Sequence, residues 1–167
     1  MNGDLGMWLR IAALLLGGII ASYALIVGKR PDAKQAIDKL VPYGGAIGIA
    51  LLVFGIYDLF GLGSGPSWFD TLDFFKYFNI WGKVYVGLWV PVAIILGFLL
   101  GYSLIDKYVL NKAASAGGKA GEAVDGVGDK AHAGLSKFSG PIGIIALVVG
   151  LIMLLLQLDI LSAAKGL

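Results

Sequence analysis

The sequence predicts an all-α integral membrane protein with four transmembrane helices, for three reasons. The chain is 58% hydrophobic and 14% charged, whereas about a quarter of the residues of a soluble chain are charged. Its mean hydropathy is +0.85. Its apolar residues also form four runs of about 20 residues, the length that a helix needs to cross a hydrocarbon layer about 30 Å thick. The runs cover residues 7–27, 43–62, 84–105 and 142–161.

The runs are continuously apolar rather than alternating, which favours helices over the strands of a membrane barrel. In the first run, Ser22-Tyr23-Ala24 is similar to the cleavage site of a signal peptide. However, the residues that precede this run, Asn2, Gly3 and Asp4, do not make a basic start. The sequence therefore predicts a retained first helix and a single membrane domain over residues 1–167.

The basic residues predict the orientation of the helices. The loops after the first and third helices lie on the same side and hold nine of the 13 basic residues. Basic loops favour the cytoplasmic side, so both loops are predicted to be cytoplasmic and both termini to lie outside. The nine residues are Lys29, Arg30, Lys34, Lys39, Lys107, Lys112, Lys119, Lys130 and Lys137.

The outer segment 67–81 is rich in aromatic residues and is predicted to contain a short interfacial helix. Ser67 followed by Asp70 has the spacing of an N-terminal capping box. Aromatic side chains prefer the depth of the lipid headgroups, so the segment serves either as a membrane anchor or as a docking surface for a partner or lipid. The predicted anchors are Trp68, Phe69, Phe75, Phe78 and Trp81.

The inner segment 112–140 is dominated by Ala, Gly, Lys, Asp and Glu. Frequent glycine disfavours an isolated helix, so this segment is predicted to be a flexible cytoplasmic loop. It contains His132, the single histidine of the chain, which is expected to be solvated.

The four helices form two hairpins of similar sequence. Residues 18–26 align with 97–105, and residues 47–55 align with 142–150. An internal duplication explains this similarity, and so does the composition that all membrane helices share. A true duplication predicts two hairpins that point the same way, which is a parallel repeat rather than an inverted one.

Each predicted helix carries small residues four positions apart, which let helix backbones approach closely in lipid. This spacing predicts packing faces, either inside the chain or between subunits. Pro91 is expected to kink the third helix or to mark its beginning. The small residues of these faces are Gly17, Ala21, Gly44, Gly48, Gly55, Gly97, Gly101, Gly143, Ala146 and Gly150.

Several classes of chemistry lack the residues that they need. The chain has no cysteine, and no convergent set of metal or haem ligands is visible. There is no Ser/His/Asp set within the bundle and no phosphate-binding glycine loop. A net charge of +2 is too small to indicate nucleic-acid binding. The sequence therefore predicts no cofactor, no metal, no nucleic-acid partner and no enzyme activity.

Asp58 and Asp159 are the notable carboxylates in apolar surroundings. Ionisable groups within membrane spans are costly and often functional. Both aspartates, however, come near the outer ends of their helices, where water and headgroups solvate them. They are therefore either solvated interfacial residues or ion-binding groups. Arg10 is expected to reach the outer headgroups.

The function favoured by these observations is non-catalytic: a structural or assembly protein that self-associates or serves as a small subunit of a larger membrane complex. Its partners would be membrane lipids and either copies of itself or other membrane subunits. The alternative is an ion-translocating subunit. In its architecture alone, the pair of hairpins resembles a duplicated rotary-ATPase proteolipid, and that resemblance implies ion binding at Asp58 and Asp159. A lipid-modifying enzyme would have to use Asp70, Asp73, Lys76 and Lys83.

Overall fold

A computed structural model describes residues 5–62, 67–73, 80–105, 130–158 and 160. Within these ranges the chain is helical apart from short connections, and no strand occurs there. Three helical segments in the same ranges are long and apolar enough to cross a membrane: Val41–Phe60, Ile80–Tyr102 and Ser139–Gln157. The predicted all-α class and the presence of several membrane-compatible helices are therefore confirmed.

Eight helices are described, with single 3₁₀ turns at Pro31–Ala33 and Val41–Tyr43 in the connection between the second and fourth. They are α1 (Leu5–Ala21), α2 (Tyr23–Lys29), α3 (Lys34–Asp38), α4 (Gly44–Phe60), α5 (Trp68–Asp73), α6 (Ile80–Ile105), α7 (130–136) and α8 (Ser139–Gln157).

The first hydrophobic run is divided at Ser22 into α1, which has 17 residues, and the shorter α2. The sequence predicted a single helix over 7–27. The break is slight, because the Ser22 N–H still donates to the Gly18 carbonyl and the Ile26 N–H to the Ser22 carbonyl, each at 3.0 Å. The buried Ser22 hydroxyl donates to the Gly140 carbonyl at 3.4 Å, so the irregular turn lies where this run contacts α8.

The other spans differ from the prediction mainly at their ends. α6 begins at Ile80 rather than at 84 and contains Pro91 in its interior. α8 begins at Ser139, so that Pro141 lies in its first turn, where a missing N–H costs no helical hydrogen bond. α4 ends at Phe60 and is capped by Gly61, whose φ of 60° is a left-handed conformation that favours glycine.

The long helices close into a four-helix bundle. α4 packs against α6 and α1 packs against α8, while α1 also contacts α4 and α6 also contacts α8. Small-residue contacts show that α1 runs antiparallel to α8 and α4 runs antiparallel to α6. Fully buried apolar side chains from all four helices fill the centre, among them Leu14, Leu51, Leu96 and Val149.

The described part of the predicted flexible loop is helical. Residues 130–136 form α7, and residues 139 and 140 belong to α8. Residues 112–129, which contain the glycine-rich stretch, lie outside the described residues, as do residues 159 and 161 of the fourth predicted run.

Candidate functional site

The closest approach between helices in the bundle is the contact of α4 with α6, and it is made by glycines. A Cβ atom on Gly48 would collide with the Gly101 backbone nitrogen, and one on Gly97 would lie 2.8 Å from the Gly48 carbonyl oxygen. Real Cβ atoms do not approach backbone so closely. The two helices therefore touch backbone to backbone, which only residues without a side chain permit.

The contact of α1 with α8 has the same form. A Cβ atom on Gly143 would collide with the Ser22 hydroxyl and would lie 2.7 Å from the Ser22 nitrogen. A Cβ atom on Gly18 would lie 2.9 Å from the Gly143 carbonyl oxygen. Ser22 was not assigned a role from the sequence. Its position four residues after Gly18 and its aligned partner Gly101 are the signals that point to it.

All ten small residues singled out in the sequence are buried within the single chain. Gly17 faces Leu51, Leu96 and Leu100, and Gly44 lies beside Ile20. The small-residue faces are thus occupied by neighbouring helices of the same chain. A second copy would have to open the bundle in order to reach them.

An ion pair joins α1 to α4 near one end of the bundle. The Arg10 guanidinium donates from Nε to Asp58 Oδ2 at 3.1 Å and from a terminal nitrogen to Oδ1 at 2.9 Å. The Trp89 indole N–H, on α6, donates to Asp58 Oδ2 at 2.7 Å. The Asp58 carboxylate therefore accepts three hydrogen bonds from two other helices.

This Arg10–Asp58–Trp89 cluster is largely sheltered from solvent. The side chains of Arg10 and Asp58 are 17% and 25% exposed, and Trp89 is buried. The Phe54 ring lies 5.3 Å below the guanidinium carbon, within the range of a cation–π contact. Asp58 stands two residues before the end of α4, about 3 Å along the helix axis. The cluster therefore belongs to the end of the bundle and not to its middle.

The sequence pointed to Arg10 and Asp58 separately, and the structure brings them together. The first predicted span begins on the side of the bundle where the second span ends. Arg10, early in the first span, and Asp58, late in the second, therefore lie at the same depth. Opposite charges at matching depths on consecutive antiparallel helices were the available signal. Trp89 carried no such signal, because tryptophans are common near helix ends in membranes.

The cluster is chemically suited to holding helices together. A bidentate arginine–carboxylate pair is strong and fixes geometry. A cation that bound at Asp58 would have to compete with a guanidinium already in contact with both carboxylate oxygens. Asp159, the second predicted ion-binding residue, lies outside the described residues. Among the described residues, no three His, Cys, Asp or Glu side chains are grouped so that they could hold a metal ion.

The predicted capping box of the outer segment is confirmed. The Ser67 N–H and hydroxyl donate to Asp70 Oδ2 at 3.0 and 2.6 Å, and the Asp70 N–H donates to the Ser67 hydroxyl at 3.2 Å. The hydrogen bond from the Ser67 hydroxyl, followed by that from its N–H, lowers the pKa of the Asp70 carboxyl. These bonds close the first turn of α5.

Of the five predicted anchors, three are described. The Trp68 indole N–H donates to the Val86 carbonyl at 2.6 Å and so ties α5 to α6. Phe69 packs edge-on against Trp68 and is 56% exposed, while Trp81 is exposed in the first turn of α6. Phe75 and Phe78 lie outside the described residues.

The sequence suggested that His132 is solvated, but the structure places it against another side chain. Its ring stacks on Tyr102 at a centroid distance of 4.5 Å, and Phe98 packs edge-on against the same tyrosine. The stack connects α7 to the end of α6. The two residues are distant in sequence, so the local sequence pattern around His132 does not predict this contact.

No family model matches this chain, and neither the curated proteins nor the solved structures contain a match. The case for a function therefore depends on the packing, the ion pair and the surface.

Proposed function

We propose that this chain is a non-catalytic structural protein of a membrane, which self-associates or acts as a small subunit of a larger membrane complex. The observation that carries the proposal is a closed interior. The helices touch through small residues, and the described chain leaves no buried side-chain polar atom without a hydrogen bond. The described interior thus offers no unpaired buried side-chain group for chemistry, so the proposal assigns function to the outer surface.

The proposal includes four spans, with α1 and α2 together making the first. Hydrogen bonds four residues apart continue through Ser22, so residues 5–29 follow one helical path. At about 1.5 Å per residue this path is about 37 Å long, sufficient for a hydrocarbon layer of about 30 Å. Gly18 and Ser22 also place it against α8, which is itself long enough to span.

The proposed topology has both termini outside and both basic loops in the cytoplasm. The absence of cysteine allows a clean test with single-cysteine variants. We expect Asp32→Cys to be protected from a membrane-impermeant maleimide in intact cells and Leu62→Cys to be labelled. The opposite pattern would reverse the orientation, and equal labelling of both would reject the span between them.

The surfaces left for partners are apolar helix faces. On α8, the exposed residues Ile144, Val148 and Leu151 recur at helical spacing, and Val53 and Phe60 belong to a similar face of α4. In a membrane these faces contact lipid or other helices. Because the small-residue faces are already occupied, we propose that any subunit contact uses these larger side chains.

We further propose that the two hairpins are duplicated copies. The aligned positions make matching contacts: Gly18 with Gly143 corresponds to Gly97 with Gly48. Likewise, Gly140 against Leu25 corresponds to Gly45 against Leu104, with Cβ-to-side-chain distances of 2.6 and 2.9 Å. A further matching pair is Gly55 against Ala93 and Ile94, and Gly150 against Leu14 and Leu15. Shared composition alone does not require aligned residues to select aligned partners, so these contacts support a parallel repeat.

Native mass spectrometry of the gently extracted protein tests the structural proposal. A closed homo-oligomer or a defined complex with other membrane subunits is the expected result. A monomer without partners would overturn it. Ion flux through reconstituted wild-type protein, lost in Asp58→Asn with assembly intact, would support the translocating alternative instead.

A further inference from the structure

The two ends of the bundle carry different charge. At the end formed by the last turn of α2 and the first turn of α8, the described residues include six basic and two acidic side chains, a net of four positive charges. At the opposite end, the described residues include two basic and three acidic residues, which are Arg10, Lys83, Asp58, Asp70 and Asp73. The six basic residues, referred to below as the basic end, are Lys29, Arg30, Lys34, Lys39, Lys130 and Lys137.

Most of the basic end makes no ion pair within the described part of the chain. Lys34 pairs with Asp38 at 2.9 Å, and Asp38 also accepts a hydrogen bond from the Tyr23 hydroxyl at 2.8 Å. None of the other five makes an ion pair with the described residues, and all five are exposed. Among the described residues, nothing competes with an external anion for these five exposed side chains.

The contact of α2 with α8 brings part of this charge to one place. Leu25 packs against Gly140, with a Leu25 methyl 2.6 Å from where a Cβ would stand. Lys29 lies one helical turn beyond Leu25, and Lys137 lies three residues before Gly140 along the antiparallel partner. Lys29 therefore lies about 6 Å past this contact along α2, while Lys137 stands in the turn just before α8 begins at Ser139. Both basic residues thus follow the contact at the same end of the bundle.

Large apolar side chains are exposed at the same end of the bundle. Phe138 and Tyr43 are 62% and 64% exposed, and Leu25 and Val41 are also exposed large residues. An exposed apolar surface that ends in exposed basic side chains matches a lipid, whose acyl chains are joined to a phosphate headgroup. A soluble anion has no acyl chain and would not contact the apolar side chains.

We infer that the seam between α2 and α8 binds anionic phospholipid headgroups, with Lys29, Arg30 and Lys137 holding the phosphate and Leu25 and Phe138 contacting the upper acyl chain. This inference rests on the proposed insertion of the bundle in a membrane. Lysine and arginine near an anionic membrane surface attract its lipids, and salt weakens the attraction. The occupant is lipid of the leaflet that surrounds the basic end.

The test is lipid retention by the full chain in nanodiscs of phosphatidylcholine and phosphatidylglycerol in equal parts, counted by native mass spectrometry. We expect the wild type to retain phosphatidylglycerol preferentially. The triple variant Lys29→Gln, Arg30→Gln, Lys137→Gln should lose this preference by roughly fivefold for each charge removed. Lys29→Arg with Lys137→Arg is the charge-preserving control, and Lys83→Gln is the control at the opposite end.

Each outcome decides between the readings. Equal retention by wild type and triple variant would overturn the inference, as would an equal loss in Lys83→Gln. A loss in the charge-preserving variant would assign the effect to packing rather than charge and would also overturn it. Displacement of the lipid by excess inorganic phosphate would show that the site binds free anions, and this result would also overturn the inference. A chain that fails to enter nanodiscs would reject the membrane proposal itself, whereas insertion without lipid preference would reject only this inference.

Discussion

Asp58 shows how a carboxylate can be retained near the end of a membrane helix. A partly buried charge loses hydration, and only a close partner with further hydrogen bonds compensates for that loss. Here the guanidinium of Arg10 supplies two bonds and the indole of Trp89 a third. Removing either charged partner therefore leaves the other sheltered and unpaired.

A double-mutant cycle measures this interaction. We expect Asp58→Asn and Arg10→Gln each to lower the free energy of unfolding by about 1.5–3 kcal/mol, the range for hydrogen bonds to charged groups. The double variant should lose less than the sum, because the second change removes a charge already unpaired. Reversible unfolding in mixed micelles measures all four proteins. Asp32→Asn is the control, because Asp32 is exposed and makes no ion pair with another described residue. Additive losses would contradict the expected coupling.

The capping box gives a pH-dependent prediction at the scale of one residue. The folded chain lowers the pKa of Asp70 below its ordinary value, because the Ser67 hydroxyl and N–H donate to its ionised form. Its contribution to the stability of α5 is therefore complete above the pKa of the unfolded chain. It is lost as the pH falls through the lower, folded value.

An NMR titration of the Asp70 carboxyl carbon in micelles should give a pKa below that of an unstructured aspartate. In Ser67→Ala the pKa should rise toward the ordinary value, because the principal hydrogen bond is gone. An unchanged pKa in this variant would show that the hydroxyl does not stabilise the carboxylate.

The helices themselves depend on glycine where they meet. Gly48→Ala places a methyl group against the Gly101 backbone, so α4 and α6 must move apart. We expect a loss of about 1–3 kcal/mol, the usual cost of overpacking. Gly28→Ala is the matched control, since a Cβ there meets nothing within 4 Å. That control should be neutral or slightly stabilising, as expected for alanine in a helix. Unfolding in mixed micelles compares the two, and equal stability would argue against direct backbone contact.

Helix positions were predictable because spanning runs are long and their apolar character is continuous. The ends of the helices were less predictable. α6 begins at Ile80 and α8 at Ser139, before their apolar runs, because a helix can extend beyond its apolar segment. The irregular turn at Ser22 depends on a hydroxyl that meets a carbonyl of another helix. No local pattern reports such a contact.

The choice of neighbours is a property of the whole molecule, and the sequence left it open. Each of the four predicted spans carries a small-residue face, so several pairings satisfy the same pattern. The observed pairing of α4 with α6 and α1 with α8 joins the two hairpins rather than closing each upon itself. The backbone geometry of all four helices decides between these arrangements. The spacing of residues along a single helix does not determine which helix it pairs with.

This pairing predicts that the two hairpins assemble as separate chains. Fragments 1–64 and 65–167, co-expressed, should copurify, because the closest glycine contacts lie between them. Gly48→Val should abolish copurification, whereas Gly28→Val should not. Pull-down of one tagged fragment measures the association. Failure of the unmodified fragments to associate, with both inserted in the membrane, would show that the covalent connection is required.

The Arg10–Asp58–Trp89 cluster bears on mispairing between such similar halves. In the alignment, Trp89 occupies the place of Arg10, and Met153 occupies that of Asp58. Two second hairpins would bring two indole donors together without an acceptor, whereas two first hairpins would match two guanidinium groups with two carboxylates and lack the indole. Only the unlike pair gives one acceptor to one cation and one indole. On the proposed duplication, divergence at these two aligned positions gives the second hairpin an indole donor whose carboxylate acceptor only the first hairpin supplies.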